Sequence, residues 1–127
     1  MGKKEVLKNK KGIHIIAGFF GCSSNQELLL QKRKLESRIG GFISYRGLTI
    51  LDKSFFKFRK GGVTGIFLLA ESHLAIHTWP ERDNYFSLDI FVCNYQKDNS
   101  LTAKKILLDI EELFKPRAIN KRIIKRQ

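Results

Sequence analysis

At 127 residues the chain is long enough for one domain with a substantial core, and two cysteines are too few for a disulfide scaffold. The formal net charge of +12 sits at the ends: residues 1–11 hold five lysines against Glu5, and residues 115–127 hold six Lys and Arg with no acid. That placement disfavours nucleic acid as the partner of the fold itself, and no stretch approaches the roughly 18 apolar residues of a membrane helix.

Residues 1–11 read as a solvated basic arm. The start "KKEVLKNKKGIHIIAGFFGCSS" has the outline of a lipoprotein signal. Its apolar run contains His14 and ends in Phe19 and Phe20 where small residues are wanted, so residues 13–20 are expected to form the first strand instead. Residues 25–39 place Leu28, Leu35 and Ile39 on one helical stripe behind Ser23, Ser24 and Asn25, with Gly40 and Gly41 expected to close the helix. Strands are expected over 47–58 and 63–70, joined by "RKGG", and over 73–81 and 85–93, joined by "ERDN". Asp98, Asn99 and Ser100 are candidate caps for a last helix over 101–114, where Ala103, Leu107, Ile110 and Phe114 share a face and Pro116 stops it. "AINKRIIKR" reads as a final edge strand blunted by its lysines and arginines. This order predicts an α+β fold: a two-layer α/β sandwich, an antiparallel-rich sheet with two helices on one face, residues 1–127 forming a single domain.

The segment "LLAESHLAIHTWPE", residues 68–81, concentrates the chemistry. On a strand His73, Ala75, His77 and Trp79 share one face, while Ser72, an odd five residues from His77, falls on the other unless a turn or bulge intervenes near Glu71. The residues alone leave three readings open: a metal held by two histidines with Cys93, for which no fourth ligand is in sight; a thiol nucleophile at Cys93; or histidines satisfied in a core or interface.

"ESHLAIHTWPE", with "GVTG" before it and "LDIFVC" after, resembles the bacterial and archaeal S-adenosylmethionine decarboxylase proenzymes; "GIHIIAGFFGC" and "GLTILDKSFFKF" are similar to that family's first two strands. The resemblance covers most of the chain. It implies a subunit that pairs with a second copy, with active sites near the interface, and self-cleavage between Glu71 and Ser72 that turns Ser72 into a covalent pyruvoyl cofactor. It further implies His77 as processing base, Thr64 as the hydroxyl that steadies the cleavage intermediate, and Cys93 as the acid that returns a proton to the substrate. Glu81 is implied as a ribose contact and His73 lies beside the pyruvoyl precursor; Phe58 is implied as a stacking surface for adenine, though it reads equally as a core aromatic. No metal is implied. The implied product is the aminopropyl donor for spermidine synthesis, made in the cytoplasm, where two free thiols also fit.

Three positions depart from the family: Gly18 stands where an acid is frequent, Asn94 where glycine follows the thiol, and Phe56 where histidine is frequent. The change at Gly18 keeps ornithine or arginine open as alternative substrates. A catalytically silent partner subunit or a basic nucleic-acid-binding protein is a third possibility, opposed by the joint presence of Ser72, His77 and Cys93.

Overall fold

A computed structural model describes residues 11–95 and 97–126; the basic arm, apart from Lys11, lies outside the described residues. The elements are β1 (Gly12–Phe20), a 3-10 turn (Gln26–Leu29), α1 (Lys32–Tyr45), β2 (Ile50–Lys57), β3 (Val63–Leu69), β4 (Ser72–Trp79), β5 (Tyr85–Val92), α2 (Ser100–Phe114) and β6 (Ala118–Arg126). The strands form one sheet in the order β2-β3-β4-β5-β1-β6, every neighbouring pair antiparallel.

Strand alternation splits the sheet into two faces. Ile13, Ile15, Ala17 and Phe19 of β1, Val63, Phe67 and Leu69 of β3, Leu74 and Ile76 of β4, and Phe86, Leu88, Ile90 and Val92 of β5 are buried against the helices. From the helices come Leu35, Ile39 and Ile43 of α1 and Ala103, Ile106, Leu107, Ile110, Leu113 and Phe114 of α2. Stacking of Phe19 on Phe86 at 4.3 Å, with Phe114 4.7 Å beyond, ties both layers together. The two-layer sandwich with helices on one face is therefore the architecture.

Helix boundaries differ from the sequence reading. Leu28 belongs to the separate 3-10 turn, α1 begins at Lys32, and the helix runs through Gly40 and Gly41 to Tyr45. Gly40 is a contact, not a stop: a Cβ there would lie 3.3 Å from the Phe67 ring, so glycine lets the helix lie close on β3. Continuing past it also buries Ile43 and packs Phe42 on the core. Just beyond the helix, the Arg46 guanidinium donates to both carboxylate oxygens of Asp109 at 2.8 and 2.7 Å, bonding α1 to α2. At the start of α2, Asp98 caps by accepting from the Ser100 amide at 2.9 Å, which with the Ser100 hydroxyl holds the Asp98 carboxyl below its ordinary range. Asn99, at the cap position, bonds elsewhere.

Among the described residues no helix covers the other face of the sheet, which is apolar in patches: Ile16, Phe20, Phe56, Ile66 and Leu68 are all exposed, Leu68 at 51%. Among the described residues no helix is long and apolar enough to cross a membrane.

Candidate functional site

The site residues fall into two groups at opposite ends of β4. The first surrounds the β3–β4 turn. Ala70 and Glu71 form a two-residue connection between the paired Leu69 and Ser72, and Ser72 sits at φ 148°, a conformation that side chains other than glycine's hydrogen rarely adopt. Holding a non-glycine residue there costs about 1–3 kcal/mol, which surrounding bonds must offset. Three bonds do this: the Cys93 amide donates to the Glu71 carbonyl at 2.8 Å, the Thr49 amide to Glu71 Oε1 at 2.9 Å, and the Ala70 amide to the Thr49 carbonyl at 2.9 Å. The Glu71–Ser72 peptide is thus fixed on both sides, strained, and has its carbonyl polarised by a backbone N–H.

A cavity of about 640 Å³ opens beside this peptide, lined by Thr49, Glu71, Cys93, Tyr95 and Asn99 among others. Asn99 is 3% exposed, and its Nδ2 donates to the Cys93 carbonyl at 2.8 Å. Since that partner is an acceptor, the amide orientation is fixed and Oδ1 points away; among the described residues Oδ1 is buried without a partner. Leaving such an oxygen unpaired costs about 1–3 kcal/mol. Asn94 stands beside it, accepting from the Asn99 amide at 2.8 Å and donating to Ser100 Oγ at 3.1 Å, so the asparagine after the thiol stitches the loop that a glycine would leave loose.

The second group lies at the other end of the strands. Thr64 and His77 are directly paired across β3 and β4, and Thr64 Oγ1 hydrogen-bonds His77 Nδ1. They line a cleft of about 360 Å³ with Phe58, Trp79 and Glu81. Phe58 is 49% exposed and packs edge-on against Phe56 at 5.1 Å, so it is a cleft aromatic and not a core one. Thr78, which no sequence signal marks, positions this half: its buried hydroxyl accepts from the Val63 amide at 2.8 Å and donates to the Leu29 carbonyl at 2.6 Å, fixing the register of β3 that presents Thr64.

The turn at Glu71 does not bring Ser72 to His77. His77 remains in the regular part of β4, five residues on, which is about 16 Å along a strand. The chain gathers Ser72, Glu71 and Cys93 at one end and Thr64, His77, Phe58 and Glu81 at the other.

His73 joins a third cluster on the open face. Its Nε2 lies 3.9 Å from Asp89 Oδ1, which also bonds His14 Nε2. Arg126 Nη1 lies 3.2 Å from His14 Nδ1 and can only donate, so His14 Nε2 carries the hydrogen that Asp89 accepts. His14, His73 and Asp89 place ligand-type atoms within 4.8 Å of one another, with a hydrogen bond joining His14 to Asp89. His73 with His77 and Cys93 is not gathered as a ligand set, because the first two lie four residues apart on β4. Gly18 also has a physical reason: a Cβ there would meet the Tyr85 ring and hydroxyl at 3.1 Å, so in this chain the tyrosine takes the space that a side chain would need.

Both cysteines are unbridged. Burial, followed by the nearby Asp83 carboxylate, pushes the Cys22 thiol up to about 12. Alkylation of the native protein at mildly alkaline pH is therefore expected to modify Cys93 and spare Cys22, as read by peptide mass mapping; modification of Cys22 at a similar rate would contradict this burial.

The fold is thus a two-layer sandwich in which β4 carries a strained Glu-Ser peptide at one end and a Thr-His pair at the other. The family model of S-adenosylmethionine decarboxylase matches residues 13–127, and the chain belongs to that family. It is 39% identical over 115 residues to the S-adenosylmethionine decarboxylase proenzyme of Thermoplasma acidophilum, covering 91% of this chain and 82% of the relative. The proenzyme of Archaeoglobus fulgidus is 36% identical over 115 residues, covering 91% of this chain and 96% of the relative. The crystal structure of the adenosylmethionine decarboxylase from Aquifex aeolicus superposes with a TM-score of 0.79 at 27% identity, covering 92% of this chain and 91% of that one.

Proposed function

We propose that this protein is a proenzyme that cuts itself between Glu71 and Ser72 and then decarboxylates S-adenosylmethionine, residues 1–127 acting as one catalytic unit in the cytoplasm with residues 1–11 as a basic arm. The observation that carries the reading is the strained Ser72 with the preceding carbonyl held by the Cys93 amide. That amide stabilises the oxyanion formed when the Ser72 hydroxyl attacks the Glu71 carbonyl carbon, and breaking the C–N bond leaves an ester and releases backbone strain. A base then takes the Ser72 α-proton and the Glu71 carboxylate departs. Water replaces the nitrogen of the resulting dehydroalanine, ammonia leaves, and the new chain starts with pyruvoyl.

The residues present fit this group: Ser72 supplies its atoms, Glu71 is fixed at both carbonyl and side chain, and the Cys93 thiol lines the same cavity. Once formed, the pyruvoyl supplies a ketone that accepts electrons as CO2 leaves the substrate. In this reading Cys93 delivers a proton to the α-carbon, Phe58 offers a face to adenine, Glu81 accepts from the ribose hydroxyls, and His73 borders the pyruvoyl.

His77, the proposed processing base, and Thr64 cannot reach Ser72 of their own chain across about 16 Å of strand. A second copy laid head to tail on the open face supplies them. That face is bare and carries exposed Ile16, Ile66 and Leu68, which sheet-on-sheet packing would cover. The active protein is thus a homodimer of processed chain pairs, each site drawing Ser72 and Cys93 from one copy and Thr64, His77, Glu81 and Phe58 from the other.

The test separates processing from turnover. Cys93→Ala keeps its backbone amide and is expected to mature, while losing about 100-fold or more in CO2 release from S-adenosylmethionine; His77→Ala is expected to stay uncut. Ornithine and arginine run in parallel test substrate choice. Equal maturation and equal turnover in both variants would remove these roles.

A further inference from the structure

The three bonds that fix the turn before Ser72 all act on the residues ahead of the cut: the Cys93 amide on the Glu71 carbonyl, the Thr49 amide on Glu71 Oε1, and the Ala70 amide on the Thr49 carbonyl. Cleavage leaves them with the end that stops at Glu71. Residue 72 loses its nitrogen on becoming pyruvoyl and has no N–H left with which to hold the sheet, so His73 is the first residue of the new chain with both backbone groups. Chain ends fray unless they are tied down.

The open face ties this one. His73, Phe91 and His14 stand opposite one another across β4, β5 and β1, with the Phe91 ring 5.8 Å from that of His73 and 5.6 Å from that of His14. Asp89, two residues before Phe91 and on the same face of β5, sets Oδ1 3.9 Å from His73 Nε2 and accepts from His14 Nε2. Arg126 closes the row from β6, its Nη1 3.2 Å from His14 Nδ1 and its guanidinium 4.1 Å from the centre of the Phe91 ring. A His14 that accepts at Nδ1 and donates at Nε2 is neutral, so it orients the Asp89 carboxylate without cancelling the charge that faces His73. We propose that Asp89 is a positioning residue for the cofactor: with His14 behind it, it clamps the His73 side chain and keeps the newly made chain end in register with β3 and β5. Before the cut the turn holds residue 72 and the clamp is redundant; after the cut the clamp holds the pyruvoyl in place through the residue that follows it.

Because the clamp matters only if the chain cuts itself and turns over substrate as proposed, one arm of the experiment is free of substrate. In that arm, amide exchange at residues 73–75 is followed by NMR in cut protein and in uncut Ser72→Ala protein. Asp89→Asn is expected to speed exchange about tenfold in the cut protein and less than about twofold in the uncut one, a contrast that a general loss of stability, acting on both alike, would not produce. His14→Leu, which removes the donor behind the carboxylate, is expected to shift exchange in the cut protein about threefold, and His14→Gln, whose amide nitrogen reaches the place of Nε2, to restore it. In the second arm, Asp89→Asn is expected to lower kcat for CO2 release about tenfold while KM for S-adenosylmethionine stays within about twofold, since the adenosine rests on the proposed Phe58 and Glu81 contacts. Both Asp89→Asn and His14→Leu are expected to mature, and His14→Leu stands in if Asp89→Asn does not fold.

Wild-type protein that cuts but releases no CO2 overturns the decarboxylase reading, and the exchange arm still decides the clamp. Active wild-type protein, with Asp89→Asn exchanging alike in cut and uncut backgrounds, overturns the clamp alone, as does failure of the folded variants to mature. A glutamine variant as impaired as leucine overturns the part of His14. Wild-type protein that never cuts makes no new chain end and overturns the clamp together with self-cleavage.

Discussion

Purified wild-type protein is expected to resolve into two chains, residues 1–71 and 72–127, the second blocked to Edman degradation because pyruvoyl replaces its amino terminus, while Ser72→Ala stays whole. The contrast is all or none. Alanine can take no part in the acyl shift, having no hydroxyl, yet it leaves the Cys93 and Thr49 amides on Glu71 undisturbed. It also retains the strained φ, since a Cβ at 148° is as crowded in alanine as in serine. The uncut variant should therefore fold like wild type, with a circular dichroism spectrum to match. Intact wild-type protein after prolonged incubation would count against self-cleavage, and cleavage of Ser72→Ala would point to a contaminating protease.

The sheet was legible from the sequence because its strands alternate cleanly: residues 63–70 and 85–93 differ from the observed Val63–Leu69 and Tyr85–Val92 by a single residue at the end. Helix α1 was less so. A Gly-Gly pair ordinarily ends a helix, and only the position of Phe67 under Gly40 shows why this one continues. The chemical residues were named by their likeness to a family, whereas their division between two ends of a sheet could only be half read. Parity puts Ser72 and His77 on opposite faces unless a bulge intervenes, and the structure has a turn with the strand running straight on beyond it. Thr49 and Thr78 give no sequence signal and Asn99 only that of a cap, because each acts through a backbone or side-chain bond to a residue distant in sequence or folded back on it.

The division of the site yields the sharpest test. Ser72→Ala and His77→Ala should each fail to cut when expressed alone, one for want of the hydroxyl and the other for want of the base. Co-expressed with different affinity tags, they should restore cleavage. In a mixed dimer one site combines the intact Ser72 of the His77→Ala copy with the intact His77 of the Ser72→Ala copy, while the other site lacks both. With random pairing, about half of the His77→Ala chains meet a Ser72→Ala partner and should be cut. The tag on the cut chain must belong to the His77→Ala copy, because only that copy carries the serine. This asymmetry distinguishes a shared site from mere stabilisation of one copy by another, which would rescue neither variant. If His77 acted on the serine of its own chain, the mixed dimer would stay whole, since neither copy holds both groups. The two-copy arrangement would then fall, and β4 would have to bend enough to close about 16 Å within one chain, a motion that its register with β3 and β5 opposes.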